Sequence, residues 1–224
     1  MTPYSCYITG TDTGIGKSIA SAALLHALRA RGQRAVGMKP VASGCEDRGE
    51  GWRNEDALAL QQASDPVPAY ADVNPYALPQ PLAPELAAAE AGVSIELATI
   101  VAAHSRLAAQ ADAVVVEGVG GWAAPLTATI DQVEVVRALQ LPVVMVVGLR
   151  LGCISHARLT ARAIAADGAN LVGWIANGID PGMARADDNF AILQRVLPVA
   201  CWGRLPHAPA PDARAMSRYL TLPR

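Results

Sequence analysis

The sequence has no excess of either charge, no paired-cysteine motif and no apolar run long enough to cross a bilayer. Each gap excludes a class of protein. With 18 Lys and Arg against 20 Asp and Glu, the net charge is −2, which offers no broad footprint for nucleic acid or an anionic membrane. Cys6, Cys45, Cys153 and Cys201 lie far apart, with no CxxC and no Cys/His metal spacing. They read as reduced thiols of a cytoplasmic protein. The longest apolar stretch, residues 141–149, is interrupted by Pro142 and Gly148, whereas a membrane-spanning helix needs ~20 apolar residues. The opening MTPYSCYITG lacks a basic start followed by an apolar run, so no secretory signal is expected.

Apolar residues make up 52% of the chain and charged residues 17%, which excludes disorder and supplies a core. Against ~150 residues per domain, 224 residues with no repeat and no long linker read as a single domain. Short β-like runs at 4–9, 34–38, 113–117, 143–147, 171–176 and 200–205 alternate with helical stretches. The helical stretches fall at 17–31, 56–63, 94–110, 131–140, 155–167 and 185–196. Such alternation predicts an α/β fold, a mostly parallel sheet with helices on both faces. The runs VVVEG and VVMVVG are continuously apolar, as strands covered on both sides should be. Gly32 and Gly168 stand where glycines end helices. Residues 44–54, charged and Gly-rich, read as an exposed loop. Six prolines in residues 64–84 argue against regular helix there and suggest an ordered loop or an insertion over the sheet edge.

The strongest local signal is ITGTDTGIGKSIA, residues 8–20, between a predicted strand and a predicted helix. That is the setting of a phosphate-binding loop. Small residues let the backbone turn its N–H groups toward phosphate oxygens, and the helix N-terminus adds partial positive charge. Lys17 can then reach the β- and γ-phosphates, and the Ser18 hydroxyl can reach a magnesium ion. The strict pattern GxxxxGK[ST] wants glycine at position 11, where Thr11 stands, so the loop is a variant. A Gly-rich turn with an incidental lysine is the plain alternative.

Such a loop needs an acidic partner at the end of a neighbouring strand. Glu117 ends the run AVVVE and enters a Gly-rich turn; capping that turn would be its structural role. Asp56, in WRNEDALAL, suits the first turn of a helix through the dipole alone. Lys39 ends a predicted strand just before Pro40, with Ser43 close behind. Two lysines converging on one triphosphate would neutralise the charge on a transferring phosphoryl group, although Lys39 could equally face solvent.

Taken together, GTDTGIGKS (10–18), KPVASG (39–44), RNEDALALQ (53–61), VNPY (73–76), VEGVGGW (116–122), VVGLRLGCISHA (146–157) and GWIAN (173–177) resemble the dethiobiotin synthetases. The resemblance covers almost the whole chain in order. It implies a P-loop NTPase-like fold and ATP-dependent carboxylation and ring closure of 7,8-diaminononanoate with CO2 or bicarbonate, a step of biotin synthesis. It implies a carbamate, then a carbamic–phosphoric mixed anhydride, then a cyclic urea with release of ADP and phosphate. Lys17, Lys39 and Ser43 are the implied catalytic residues, with Lys39 and Ser43 also touching substrate. Ser18, Asp56 and Glu117 are the implied Mg2+ ligands. The implied nucleotide contacts add Thr13, Gly14, Ile15, Gly16, Ile19, Gly118, Val119, Gly120, Asn177, Gly178, Pro206, His207 and Ala208. A homodimer is implied as well, with the substrate carboxylate held across the interface by Leu151, Gly152, Cys153 and Ile154. Cys153 then serves through its small backbone-donor position rather than as a nucleophile. Ser18, Gly178 and Ser155 depart from the family's usual threonine, aspartate and asparagine.

Three other readings compete. Amidoligases of cobalamin synthesis share the loop but usually carry a glutaminase domain, for which 224 residues leave no room. Partition and septum-site ATPases place an extra lysine early in the loop, where Thr11, Asp12 and Thr13 stand here. A silent nucleotide-binding regulator would not need Lys39, Ser43, Asp56 and Glu117 together.

Overall fold

The structure is a computed structural model that describes residues 5–223. The N-terminal half runs β1 (Cys6–Gly10), α1 (Lys17–Ala30), β2 (Ala35–Met38), β3 (Val41–Ser43), β4 (Glu46–Asp47), β5 (Trp52–Arg53), α2 (Glu55–Ala63), α3 (Tyr70–Val73), β6 (Tyr76–Leu78), α4 (Pro84–Ala91) and α5 (Leu97–Ala108). The rest runs β7 (Ala113–Glu117), α6 (Gln132–Leu139), β8 (Val143–Leu149), α7 (Cys153–Ala166), β9 (Leu171–Gly178), α8 (Ala186–Val196), β10 (Cys201–Leu205) and α9 (Ala213–Met216).

Six strands form one sheet in the order β10-β9-β8-β1-β7-β2, every pair parallel. Parallel neighbours require crossovers, and the crossover helices cover both faces. Alternate residues of the strands therefore enter different cores. Ile8, Val115, Val144 and Val146 pack with α1 and α2, whereas Tyr7, Val114, Val116 and Val143 pack with α5 and α6. Met145 and Val147 pack with α7 and α8.

All six predicted strands are present; the first extends over Cys6–Gly10, and the predicted start at residue 4 lies outside the described residues. Helix α7 begins at Cys153, two residues before its predicted start. Gly32 and Gly168 have φ of 80° and 71°, as helix-terminating glycines should. The loop expected at 44–54 contains the small antiparallel pair β4–β5. The Pro-rich stretch corrects the expectation of no helix there. The single turn Tyr70–Val73 fits between Pro68 and Pro75, and Pro84 begins a helix at its first position, where its missing N–H costs nothing. Strands β3 and β6 pair in parallel, Val41 with Tyr76 and Ser43 with Leu78.

One close approach fixes how β9 meets β10. A Cβ built on Gly173 would lie 2.2 Å from Trp202 Nε1, and Trp202 is buried. Gly173→Ala is therefore expected to destabilise the fold by about 1–3 kcal/mol through overpacking, read as a lower denaturant midpoint. An unchanged midpoint would mean that the Trp202 ring can swing away freely.

Candidate active site

Strands β1, β2 and β7 all end at the same edge of the sheet, and the segments leaving their C-terminal ends enter one cavity. After β1, residues 11–16 form the loop, with Gly16 at φ 80°, ψ 37° capping α1. That left-handed turn aims the first N–H groups of α1 at the cavity. The Lys17 side chain folds back to donate to the Asp12 carbonyl at 3.0 Å. Asp12 is anchored in turn: its Oδ1 accepts the Thr13 N–H at 2.8 Å, and its Oδ2 pairs with Arg150. From the far side, Asn177 Nδ2 donates to the Ile15 carbonyl at 2.9 Å.

Beyond β2, Lys39 is held by its own backbone. Its N–H donates to the Val73 carbonyl at 2.7 Å, and its carbonyl accepts from Asn74 Nδ2 at 2.7 Å. Its side chain, 4% exposed, points to the end of β7. Lys39 Nζ lies 2.6 Å from Glu117 Oε1 and 3.4 Å from Asp56 Oδ2, and donates to the Gly118 carbonyl at 3.2 Å. The Ser18 hydroxyl donates to the same Glu117 Oε1 at 2.9 Å. Glu117 is fully buried, and its Oε2 has no partner. Asp56 is delivered by the start of α2, whose Asn54 side chain caps the Asp56 and Ala57 N–H groups.

The electrostatics are those of two crowded cations. Burial first, and then the Lys39 ammonium, pull the Lys17 ammonium down to about 8. Burial alone would favour a neutral Lys39, but Glu117 and Asp56 outweigh it and hold its ammonium above the usual lysine value.

These residues line one cavity of about 750 Å³. It is bordered by Thr13, Gly14, Gly16, Lys17, Ser18, Lys39, Ser43, Asp56, Glu117, Val119 and Gly120. The structure thus gathers the residues of four separate motifs. Ser43 Oγ is buried there without a partner. Ile15 is a core residue, 1% exposed, and Ile19 packs against that core; both shape the loop from below. Asn177 and Gly178 lie beside the phosphate loop rather than in the cavity wall. Leu205 pairs with Asn177, which brings residues 206–208 alongside, and a Cβ on Gly178 would lie 2.8 Å from the His207 N. Leu151, Gly152, Cys153 and Ile154 do not reach the cavity. They sit at the start of α7, where Leu151, Gly152 and Ile154 border a separate groove of about 400 Å³ with Ser155, Arg158 and Arg162.

The sequence reading missed part of the wall. Asn54, Ala42, Ala124, Pro125 and residues 81–84 also line the cavity. Asn54 precedes an acidic first turn, a pattern that suits a helix cap, but nothing in the sequence marks it as facing the site.

Phosphate loop, strand-end lysine and strand-end carboxylate on a parallel sheet define a P-loop nucleotide-binding protein. Residues 5–215 match the family described as AAA domain. The signal recognition particle receptor FtsY from Elizabethkingia anophelis shares the fold, with a TM-score of 0.54 at 15% identity, covering 98% of this chain and 64% of that one. Much nearer in sequence is the ATP-dependent dethiobiotin synthetase BioD of Xanthomonas oryzae pv. oryzae (strain PXO99A), 66% identical over 100% of both chains. The protein of the same name from Xanthomonas euvesicatoria pv. vesicatoria (strain 85-10) is 67% identical over 97% of each. The chain belongs to the ATP-dependent dethiobiotin synthetase family.

Proposed function

We propose that the chain, acting as one catalytic domain, converts 7,8-diaminononanoate, CO2 and ATP into dethiobiotin, ADP and phosphate, a step of biotin synthesis in the cytoplasm. One amine adds to CO2 to give a carbamate. A carbamate oxygen then attacks the γ-phosphorus and expels ADP, leaving a carbamic–phosphoric mixed anhydride. The second amine attacks the anhydride carbonyl carbon, closes a five-membered urea and expels phosphate. The observation that carries this reading is the convergence of Lys17, Lys39, Ser43 and Glu117 on one cavity at the end of the phosphate loop. In that arrangement Lys17 and Lys39 neutralise charge on the transferring phosphoryl group and the carbamate. Ser43 offers its unpartnered hydroxyl to orient the carbamate. Asn177, Gly178 and residues 206–208 are assigned to the adenine. Neither a biotin cofactor nor a covalent enzyme intermediate is needed.

Magnesium fits this donor set. Ser18, Asp56 and Glu117 supply hard oxygen ligands, and Glu117 Oε2 is buried with no partner to occupy it. Bound there, the ion would neutralise phosphate charge. Activity is expected to vanish with excess chelator and return with magnesium or manganese; full turnover in chelator would remove the assignment.

The site also makes nucleotide binding pH-dependent. Lys17 titrates near 8 when free, and contact with phosphates favours its charged form. Above that pH, binding must first take up a proton. ADP affinity should therefore fall as pH rises from 7 to 9, by up to about tenfold per unit once Lys17 is neutral. A flat profile would show that Lys17 does not meet the phosphates.

We infer a homodimer in which the start of α7 serves the neighbouring copy's site. Leu151 is 89% exposed and Leu159 is 59% exposed, beside the α7 groove that stands apart from the cavity. A short substrate with amines at one end needs separate donors for its carboxylate, and a helix start has them. Mixing Lys39→Gln with Gly152→Asn subunits should restore some activity, because one site of a mixed dimer carries neither defect. No recovery despite proven subunit exchange would reject the shared site.

The decisive assay follows ADP release by the purified chain. It should require both 7,8-diaminononanoate and bicarbonate and yield a cyclic urea. ADP release indifferent to the diamine would overturn the reading.

A further inference from the structure

Gln132 lies in none of the motifs that pointed to the site, yet it is fully buried. It is the first residue of α6, whose entry is fixed by a capping box between Asp131 and Glu134. Its side chain turns back from the helix into the loop after Glu117. There Gln132 Nε2 donates to the Val119 carbonyl at 2.9 Å and to the Gly121 carbonyl, with the Trp122 and Ala124 carbonyls at 3.4 Å. Its Oε1 accepts the Tyr7 hydroxyl at 2.8 Å. Tyr7 is buried on β1, the strand that delivers the phosphate loop.

This one amide therefore ties three pieces of the site together: β1, α6 and residues 118–125. The loop it holds is part of the cavity. Val119, Gly120, Ala124 and Pro125 line the wall, and the Gly118 carbonyl accepts from Lys39 Nζ. There is no slack in the arrangement. A Cβ on Gly118 would lie 2.2 Å from Gln132 Oε1 and 2.6 Å from the Tyr7 hydroxyl. By contrast, Lys17 and Ser18 stand on α1 and bond Asp12 and Glu117 rather than Gln132.

The geometry points to Gln132 as a positioning residue for the proposed ring closure: it fixes the 118–125 wall, and with it the Gly118 carbonyl at Lys39, without touching nucleotide or substrate. This rests on the reaction proposed above. A buried loop whose carbonyls lose their shared donor must relax to find others, and displacement of a wall by ~1 Å can cost ~100-fold in rate.

The test is a split between turnover and nucleotide binding. Gln132→Leu removes donor and acceptor at similar volume. Gln132→Glu keeps the acceptor for Tyr7 and loses the donors. In both, kcat for the diamine-dependent reaction should fall ~10–100-fold, while ADP affinity falls by a clearly smaller factor, because the loop at residues 11–16 and the start of α1 keep their own hold on the phosphates. Tyr7→Phe should lower kcat less, and should add nothing on top of Gln132→Leu in a double-mutant cycle. Wild-type kcat in Gln132→Leu or Gln132→Glu would overturn the inference. So would an equal loss of kcat and ADP affinity, which marks a merely structural role. If the Gln132 variants fail to fold, Tyr7→Phe decides, and unchanged kcat there rejects the inference. Absence of any cyclic urea from the wild-type chain would instead reject the proposed reaction.

Discussion

Lys39→Gln will lower turnover at least ~100-fold, because removing one electrostatic donor to a developing anion typically costs ~2.7–4 kcal/mol. The variant separates charge from hydrogen bonding. A glutamine amide can still donate toward Glu117 Oε1, now 2.6 Å from the ammonium, but it brings no positive charge to the cavity. The same change leaves Glu117, fully buried, without its cation. Breaking a buried ion pair from one side costs up to about 3–5 kcal/mol. Stability should therefore fall together with activity. Circular dichroism at 25 °C and a denaturant titration separate the two effects. Near-normal turnover in a folded variant would take Lys39 out of the chemistry.

Gly16→Ala should abolish tight nucleotide binding while leaving the sheet intact. Two independent penalties meet at this position. At φ 80° an L-residue is strained by roughly 1–2 kcal/mol. The new Cβ would also stand 2.0 Å from Asn177 Nδ2, whose amide is buried and already bonded to the Ile15 carbonyl. The loop must open or Asn177 must leave, and either movement spoils the aim of the first N–H groups of α1. A combined cost of about 2–4 kcal/mol corresponds to a loss of about 30- to 1,000-fold in ADP affinity, measured by calorimetric titration. Undiminished affinity would show that these N–H groups are not the phosphate site.

The features legible in the sequence were those that are repeated or local. The strand at 113–117 was legible because its first four residues, covered on both faces, are all apolar and only Glu117 at its end is not. The phosphate loop was legible because its glycines, Lys17 and Ser18 are consecutive. Lys39 looked equally suited to solvent, and only β2 pairing with β7, Met38 beside Val116, turns it toward Glu117. The β3–β6 pair was hidden because each strand has three residues and the partners come together only in the fold. Helix α4 was missed because Pro84 reads as a breaker unless it is the first residue of a helix. Gln132 left no sequence signal at all, since a buried amide serving backbone carbonyls looks like any surface glutamine.

The strand order has a consequence for how the chain comes to be made. The first strand is central, and its partners are β7 and β8, with Cys6 beside Val115 and Gly10 beside Val146. During synthesis at ~5–20 residues per second, this apolar strand and the phosphate loop wait some ~5–20 seconds before a sheet neighbour leaves the ribosome. Until then Tyr7 and Ile8 have helices such as α1, α2 and α5 but no sheet neighbour to pack beside, and β2 itself needs β7. The nascent chain is thus most open to aggregation and chaperone capture over its first half, and the nucleotide site can close only after β7 has arrived.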